Sequence, residues 1–332
     1  MTISASKITS RAVLGLGAVA ATLTASGALY QLFASKRDRK RHTASGRFID
    51  VDGVLLHLND QGEGSPTVVL EAGLTSMSAQ WAWIQPEVAK FTRVVSYDRA
   101  GLGFSAASAQ PRDAHRTAER LHALLQKAEI PAPYVIAAHS MGGLFARMFA
   151  HLYPDETAGL VLIDSVHPDQ RRRAGAGADW QHSLVFGQLM AAPYLARVGV
   201  LRLNHYRAHM ALGLPKTEAD LLLAMSNAPS HLRGTSEEAA GFNAMCTQVR
   251  NCGTLGDLPL AVLSSESWFS EWDNAWHSLQ REIAGLSTNS TFRIVPGSNH
   301  SSLITIRDHA SEVIEAIRGI VDQVRNKYQL AA

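Results

Sequence analysis

The chain has 332 residues, of which 46% are hydrophobic and 18% are charged, and this composition excludes an intrinsically disordered protein. Its formal net charge of +2 is too close to zero to suggest nucleic acid as a partner. The length suits one large domain that carries an insertion.

The N-terminal segment is uncharged from residue 12 to residue 35, and a basic run of residues 36–41 follows it directly. A helix rises about 1.5 Å per residue, so this segment is long enough to cross a bilayer. We predict an N-terminal membrane anchor with a basic flank over residues 1–41. A cleaved signal peptide, with Lys7 and Arg11 at its positive end, and a soluble leader are the alternatives. The basic run favours the cytoplasmic side, which predicts a cytoplasmic location for the rest of the chain; export to the periplasm is the alternative.

Short apolar runs and helical patterns then alternate along the chain. The predicted strands of this part are residues 46–52, 54–59, 67–71, 92–97, 134–138 and 159–164, and the predicted helices are residues 76–90, 112–128 and 143–152. Asp52-Gly53 predicts a hairpin between the first two strands. Strands rich in Val, Ile and Leu that alternate with helices predict an α/β fold, with a mostly parallel sheet covered by helices on both faces.

The alternation stops between residues 165 and 257, where no strand pattern is found. Apolar residues recur at helical intervals over residues 184–195, 198–212 and 219–225, so we interpret residues 165–257 as a helical cap inserted after the sixth strand. The cap divides a core made of residues 42–164 and 258–332. The second part of that core has predicted strands at 260–264 and 291–295, a helix at 271–284 and a long amphipathic C-terminal helix.

Ser140 lies between a predicted strand and a predicted helix, in the stretch A-H-S-M-G. A nucleophilic serine on a sharp strand-to-helix turn needs small residues two positions away on each side, because the strand and the helix nearly collide there. The usual pattern is G-x-S-x-G, and here Ala138 replaces the first glycine. We predict that Ser140 is a catalytic nucleophile rather than a helix N-cap.

A serine nucleophile needs a base, and the base needs a carboxylate that orients it. His300 follows the last predicted strand, whose carboxyl end lies at the same edge of the sheet as Ser140, so His300 is the predicted base. Asp164, which ends the strand after the nucleophile strand, is the favoured acid. Glu266, after the next strand, is the alternative acid, and Asp273 is a third candidate.

The oxyanion of an acyl-transfer reaction needs two N–H donors. The residue after the nucleophile, Met141, is one predicted donor. Leu74 is the other, because Gly73 allows the loop after the third strand to turn close to the serine. His205 and His209 have a spacing that can hold zinc, but the glutamate of a metalloprotease helix is missing, so we predict no metal site.

Several stretches, in this order, resemble the α/β-hydrolase superfamily and are most similar to its bacterial capped serine hydrolases of the esterase and lipase kind. These stretches are L-E-A-G-L, Y-D-R-A-G-L-G-F-S, A-H-S-M-G-G, L-V-L-I-D-S-V-H-P-D-Q and G-S-N-H. The resemblance implies an eight-stranded, mostly parallel sheet, a Ser–His–acid triad and no cofactor. It places Asp98 and Arg99 in a network that fixes a loop. The chain departs from the family pattern at Ala138 and in lacking an aspartate after the strand at 260–264.

The predicted activity is hydrolysis of an ester-type bond in a small, apolar substrate through an acyl-enzyme. A lactonase, an amidase or aminopeptidase, and a carbon–carbon bond hydrolase would keep the serine and stay open. A non-catalytic ligand receptor on the same fold is the alternative from another class. Epoxide hydrolases and haloalkane dehalogenases of this fold use an aspartate nucleophile, so Ser140 argues against both. We make no prediction of the oligomeric state.

Overall fold

A computed structural model of the protein describes residues 5–173, 175–204, 208–267 and 273–331. Its centre is an eight-stranded sheet in the order β1-β2-β4-β3-β5-β6-β7-β8. The strands are β1 (Arg47–Val51), β2 (Val54–Gln61), β3 (Thr67–Glu71), β4 (Val94–Tyr97), β5 (Tyr134–His139), β6 (Thr157–Ile163), β7 (Leu260–Ser267) and β8 (Ser290–Asn299). β2 is antiparallel to both of its neighbours, and the other pairs are parallel. The predicted mostly parallel sheet with a hairpin at its edge is confirmed.

Helices cover both faces of this sheet, as predicted. The helices of the described residues are α1 (Ala5–Arg41), α2 (Gln85–Val88), α3 (Ala114–Lys127), α4 (Gly142–Leu152), α5 (Gln170–Arg173), α6 (Gly175–Arg197), α7 (Val200–Leu203), α8 (Lys216–Ser226), α9 (Pro229–Arg250), α10 (Asp273–Ala284), α11 (Ser302–Thr305) and α12 (Arg307–Ala331). α3 and α4 bury apolar side chains on one face. α2 and α12 do so on the other. The carboxyl ends of the parallel strands therefore meet at one edge between two apolar layers.

The single helix predicted over residues 76–90 is wrong. The segment forms a 3₁₀ turn at Ser78–Trp81 and the short helix α2. Pro86 explains the break, because proline has no N–H and is accommodated only in the first turn of a helix. The apolar side chains of Trp81 and Ile84 are still buried against the sheet. The apolar spacing thus indicated burial correctly, although the segment is not one continuous helix.

Between β6 and β7 the described residues contain helices and no strand. The helical spacing over residues 198–212 corresponds to two short pieces, α7 and a 3₁₀ turn at Ala208–Ala211, with residues 205–207 outside the described part. Gly199 has a left-handed backbone with φ 75°, which ends the preceding helix. α9 was not predicted: its buried residues Gly234, Thr235 and Ser236 are small or polar, although Phe242 and Met245 further along are buried at helical spacing. We propose that this helical segment is the cap.

α1 is long and apolar enough, over Leu14–Arg41, to cross a membrane by length and composition. Its first described side chains are open to solvent, with Leu14 and Leu16 both 72% exposed. A signal sequence near an N-terminus passes the same test. The helix is therefore compatible with the predicted anchor.

Candidate active site

The three residues predicted as a catalytic triad lie together at the carboxyl edge of the sheet. Ser140 directly follows β5, Asp164 follows β6 and His300 follows β8. The Nε2 atom of His300 is 2.9 Å from the Ser140 Oγ atom, and its Nδ1 atom is 2.6 Å from the Asp164 Oδ2 atom. The carboxylate can only accept, so Nδ1 carries the proton and Nε2 is free to accept the serine proton. This is the arrangement that general-base activation of a serine requires.

Ser140 has a strained backbone. Its φ is 56°, in the left-handed region that residues other than glycine rarely adopt. The conformation is held because the Ser140 N–H donates to the Ile163 carbonyl at 3.0 Å and the Ser140 carbonyl accepts from Gly143 and Val166. A Cβ atom on Gly142 would lie 2.6 Å from the Glu71 carbonyl oxygen, so only glycine fits there. The predicted need for small residues around this turn is borne out at position 142.

Asp164 is fully buried and receives several hydrogen bonds besides the one from His300. The Ser265 N–H donates at 2.8 Å and the Trp276 indole at 2.7 Å to Oδ1, while the Ser265 hydroxyl donates at 2.9 Å to Oδ2. Burial by itself raises the pKa of a carboxyl, but the bonds and charge of His300 and the bonds from Trp276 and Ser265 outweigh burial. The pKa of Asp164 is therefore held below its ordinary value, and the group stays ionised.

Glu266, the alternative acid, binds elsewhere in the structure. The Glu266 carboxylate accepts from the Gly297 N–H at 2.8 Å and so ties β7 to β8. Glu266 is also exposed, whereas Asp164 is fully buried against His300. The side chain of Asp273 lies outside the described part. No cluster of three or more His, Cys, Asp or Glu residues suited to a metal is found among the described residues, and His205 is not one of these.

The predicted oxyanion donors adjoin Ser140 in two ways: Met141 follows it in the chain, and Leu74 follows Gly73, which lies against it. Within the described residues, neither the Leu74 N–H nor the Met141 N–H donates to a protein acceptor, so both are available to a ligand. A Cβ atom on Gly73 would lie 3.1 Å from the Ser140 Cβ and 3.1 Å from the His139 Nδ1 atom. Glycine at this position allows the loop of residues 72–75, which we call the oxyanion loop, to lie directly against the nucleophile.

Arg99 holds the oxyanion loop from behind. Its guanidinium donates to the Ala72 carbonyl at 2.6 Å and to the Gly73 carbonyl at 2.9 Å. In a trans peptide the N–H points opposite to the preceding carbonyl. The N–H groups of Gly73 and Leu74 therefore face away from Arg99. Arg99 is 5% exposed. It therefore positions the loop and does not touch the serine, which agrees with the predicted loop-fixing network.

Two buried carboxylates share the Arg99 guanidinium. Glu238 accepts from Nε at 2.6 Å and from Nη2 at 2.9 Å, and Glu71 accepts from Nη1 at 2.7 Å. Tyr97 donates its hydroxyl to the other oxygen of Glu71. Burial lowers the pKa of Arg99, but the two carboxylates outweigh burial and raise it, so the guanidinium stays charged. Burial raises the pKa of Glu71, and Arg99 offsets part of that rise.

The inserted helix α9 holds the oxyanion loop at two points. Glu238 acts through Arg99, and His231 donates from Nε2 to the Thr75 carbonyl at 3.0 Å. The Nδ1 atom of His231 accepts from the Gly103 N–H at 3.0 Å. Since both side chains come from one helix, the insertion and the oxyanion loop form one connected unit.

His139, which precedes the nucleophile, positions the base. Its Nε2 atom donates to the His300 carbonyl at 2.9 Å, and the two rings lie 4.6 Å apart between centroids. Burial, with the nearby His300 as a second cause, lowers the pKa of His139 to about 3. A neutral His139 adds no charge next to the base.

The roles of several supporting residues were not predicted, among them His139, His231, Glu238, Ser265 and Trp276. The two on α9 are polar residues whose partners lie far away in the chain, with 156 positions between His231 and Thr75 and 139 between Glu238 and Arg99. Ser265 lies two residues after a buried apolar run, where a buried polar side chain indicates a partner. The role of Ser265 could therefore have been predicted from the stretch Ser-Ser-Glu, in which only the glutamate was considered.

Comparisons with known proteins agree with this fold. A family model described as alpha/beta hydrolase fold matches residues 66–194. The chain is 26% identical over 157 residues to the uncharacterised protein YbdG of Bacillus subtilis, a match that covers 47% of this chain and 48% of YbdG. It is 28% identical over 142 residues to a 2-hydroxy-6-oxo-2,4-heptadienoate hydrolase of Pseudomonas putida, covering 41% of this chain and 50% of that enzyme. The chain spans about half the length of the curated relatives it matches.

A solved structure extends the likeness to most of the chain. A thermophilic esterase from Thermogutta terrifontis superposes with a TM-score of 0.61 at 20% identity, over 85% of this chain and 99% of the esterase. At this identity the likeness concerns the fold.

Proposed function

Since the chain belongs to the α/β-hydrolase superfamily, we propose that it is a serine hydrolase that cleaves an ester-type bond through an acyl-enzyme. The observation that carries the proposal is the hydrogen-bonded series Ser140–His300–Asp164, with distances of 2.9 and 2.6 Å. Ser140 is the nucleophile, His300 is the general base and acid, and Asp164 orients His300. The N–H groups of Leu74 and Met141 are the oxyanion donors.

The reaction follows from these roles. The Ser140 hydroxyl attacks the carbonyl carbon while His300 Nε2 takes its proton, and the two N–H groups bind the oxyanion. When the tetrahedral intermediate collapses, His300 gives the proton to the departing alcohol and leaves an acyl-enzyme on Ser140. Water, deprotonated by His300, then attacks the acyl carbonyl; the bond to the Ser140 oxygen breaks, His300 returns the proton to that oxygen, and the acid is released. Asp164 stays ionised and stabilises the imidazolium that forms in both halves.

We place the substrate among small, apolar esters, because apolar side chains of the insertion lie next to the oxyanion loop. Met210 is 3.6 Å from the Thr75 hydroxyl, and Phe104, Leu222 and Met225 pack in the same apolar cluster. We also propose that α1 attaches the enzyme to a membrane with the catalytic domain in the cytoplasm. Export to the periplasm is the alternative, and a protease-protection assay on spheroplasts distinguishes them.

The test is labelling of the full-length protein, in detergent, by a fluorophosphonate probe, with the adduct mapped by mass spectrometry. We expect the adduct on Ser140 and its loss in Ser140→Ala and His300→Ala. Ser311→Ala, an exposed serine of α12, is the matched control and should label as the wild type does. A folded wild-type protein that takes up no probe would contradict the proposal and favour a non-catalytic ligand receptor.

A carbon–carbon bond hydrolase is the second candidate, because one relative carries the name 2-hydroxy-6-oxo-2,4-heptadienoate hydrolase. This reaction keeps the serine machinery but cleaves a bond to carbon. Turnover of that dienoate and of a nitrophenyl alkanoate, measured side by side, separates the two activities. A higher kcat/KM for the dienoate would replace the ester assignment.

A further inference from the structure

The second half of α1 packs directly on the insertion. A Cβ atom on Gly27 would lie 2.2 Å from the Val198 carbonyl oxygen, so the two backbones touch at this glycine. One turn later the buried Gln31 donates to the Asn227 carbonyl at 3.1 Å. α1 therefore leaves the protein surface at Gly27 and is free of it towards the N-terminus, where Leu14, Leu16 and Leu23 are exposed.

In the basic run at the end of α1, the acidic side chain is buried and the basic side chains are exposed. Asp38 turns towards the protein and pairs with Arg202 of α7 at 2.6 Å, and both side chains are about one-tenth exposed, 10% and 11%. The five cations of the run are exposed: Lys36, Arg37, Arg39, Lys40 and Arg41. An acid paired inwards and cations exposed outwards is a surface suited to anionic lipid headgroups.

The length of α1 does not fit a bilayer unless part of the insertion enters it too. The uncharged residues that precede the contact at Gly27 are residues 12–26, which span about 22 Å as a helix. A hydrocarbon core is about 30 Å thick, so the membrane would have to extend about 8 Å past Gly27. That extra depth includes the part of the insertion that touches α1 there.

The insertion is apolar at this place. Tyr194 and Leu203 are 68% and 63% exposed. Leu195 and Val200 are 42% and 37% exposed. We call these four side chains, which lie within a few residues of the contact between Val198 and Gly27, the apolar tip. Arg197 is the exposed charge among them, and it stacks on the Tyr194 ring at 5.4 Å, a position from which its head can reach the interface.

We propose that the apolar tip of α6 and α7 is immersed in the membrane beside α1, with the bilayer as its partner and anionic headgroups against the basic run. This inference rests on the membrane attachment in the proposed function and deepens it: the insertion is part of the membrane-binding surface. The substrates that meet the enzyme at this surface are esters dissolved in the bilayer.

Depth-dependent quenching tests the immersion. The background is the full-length Cys246→Ala/Cys252→Ser protein, since both native cysteines are free thiols. Leu203→Cys and Tyr194→Cys each carry a fluorescent label in vesicles of phosphatidylcholine and phosphatidylglycerol. Nitroxide lipids should reduce the fluorescence about twofold at these positions. They should leave it unchanged at Asn326→Cys, an exposed position of α12 at the opposite edge of the sheet.

Unquenched labels at both tip positions, in protein that remains bound to the vesicles, would overturn the proposal. If the labels are not quenched in vesicles but become shielded from solvent in detergent as the protein concentration rises, a second copy of the chain covers the tip, and the proposal is overturned. This measurement does not need enzymatic activity, so it fails independently of the proposed hydrolysis.

A kinetic test uses the double variant Tyr194→Asp/Leu203→Asp. We expect about a tenfold lower rate on an ester embedded in vesicles, because two charges must enter the interface, and an unchanged rate on a soluble nitrophenyl ester. Equal rates on the vesicle ester would contradict the immersion of the tip. A loss on both substrates shows a folding defect, and Leu203→Gln alone then repeats the comparison.

Discussion

The bond between the insertion and the oxyanion loop can be tested by Glu238→Gln. Glutamine keeps the size of the side chain, but it has one acceptor oxygen, and its amide group cannot accept from the second N–H of Arg99. One of the two bonds, at 2.6 and 2.9 Å, is therefore lost inside the protein. A hydrogen bond to a charged group contributes roughly 1.5–3 kcal/mol, so the free energy of unfolding should fall by about 2 kcal/mol.

The same change should slow the reaction. If all of this loss fell on the transition state, kcat would drop about 30-fold, since about 1.4 kcal/mol corresponds to a factor of ten. His231 still holds the loop at Thr75, so we expect a smaller drop of about tenfold. Denaturant unfolding in detergent and the kcat for a soluble nitrophenyl ester measure the two effects.

Glu237→Gln is the matched control on the same helix. Glu237 is the neighbouring glutamate, its side chain is 34% exposed, and it pairs with Arg112 at 3.1 Å and Arg233 at 3.0 Å. Such partly exposed pairs contribute about 0–1 kcal/mol, and neither touches the oxyanion loop. Wild-type stability and kcat in Glu238→Gln, or equal losses in both variants, would refute the reasoning.

Three more predictions concern Asp164, Gly73 and the buried pair of His57 and Asp98, whose Nδ1 and Oδ2 atoms are 3.0 Å apart. Asp164→Asn should lower kcat by about three to four orders of magnitude, because the base loses its orienting charge, while Glu266→Gln should stay within about twofold; equal losses in steady-state assays would contradict this assignment. Gly73→Ala places a methyl group 3.1 Å from the nucleophile's Cβ, so kcat should fall about tenfold with a nearly unchanged melting temperature, and full activity would argue against the close approach. Burial lowers the pKa of His57, but its bond to Asp98 and that carboxylate's charge outweigh burial and raise the pKa above 6.5. This pair should therefore stabilise the fold fully below about pH 6.5 and lose that contribution as the pH rises through the folded-state pKa; urea unfolding across this range should show a decline that is flatter in His57→Gln, and parallel curves would disprove the link.

The parts of the molecule that the sequence predicted are those with short-range rules. Apolar runs placed the central strands β3 to β7, because a strand buried on both faces must be apolar throughout. The edge strand β8 is mostly exposed and extends beyond the predicted residues 291–295. The turn around Ser140 was predictable because its steric demand falls on residues two positions away. His300 was predictable because the last parallel strand ends at the same edge of the sheet.

The missed parts depend on contacts between distant segments. The part of α9 around Gly234, Thr235 and Ser236 is buried through small and polar side chains. Its later part buries Phe242, Met245 and Val249 at helical spacing, a local pattern that could have been predicted. The role of Glu238 could not, because Arg99 lies 139 positions away in the chain. The acid was ambiguous because Asp164 and Glu266 both end strands at the correct edge. The two can be distinguished only from the paths of β7 and β8, which bring the Glu266 carboxylate to the Gly297 N–H. A break such as that at Pro86 follows a local rule and could have been predicted.

The two links from α9 to the oxyanion loop limit how this enzyme can be rebuilt. An insertion of this kind is an attractive module to exchange between related enzymes when a new substrate range is wanted. Here an exchanged module would have to bring an acid at position 238 and a donor at position 231, or the recipient would lose the support of its own oxyanion donors. Substrate range and turnover are therefore inherited together in this chain, and a chimera that ignores these two side chains should be folded but slow.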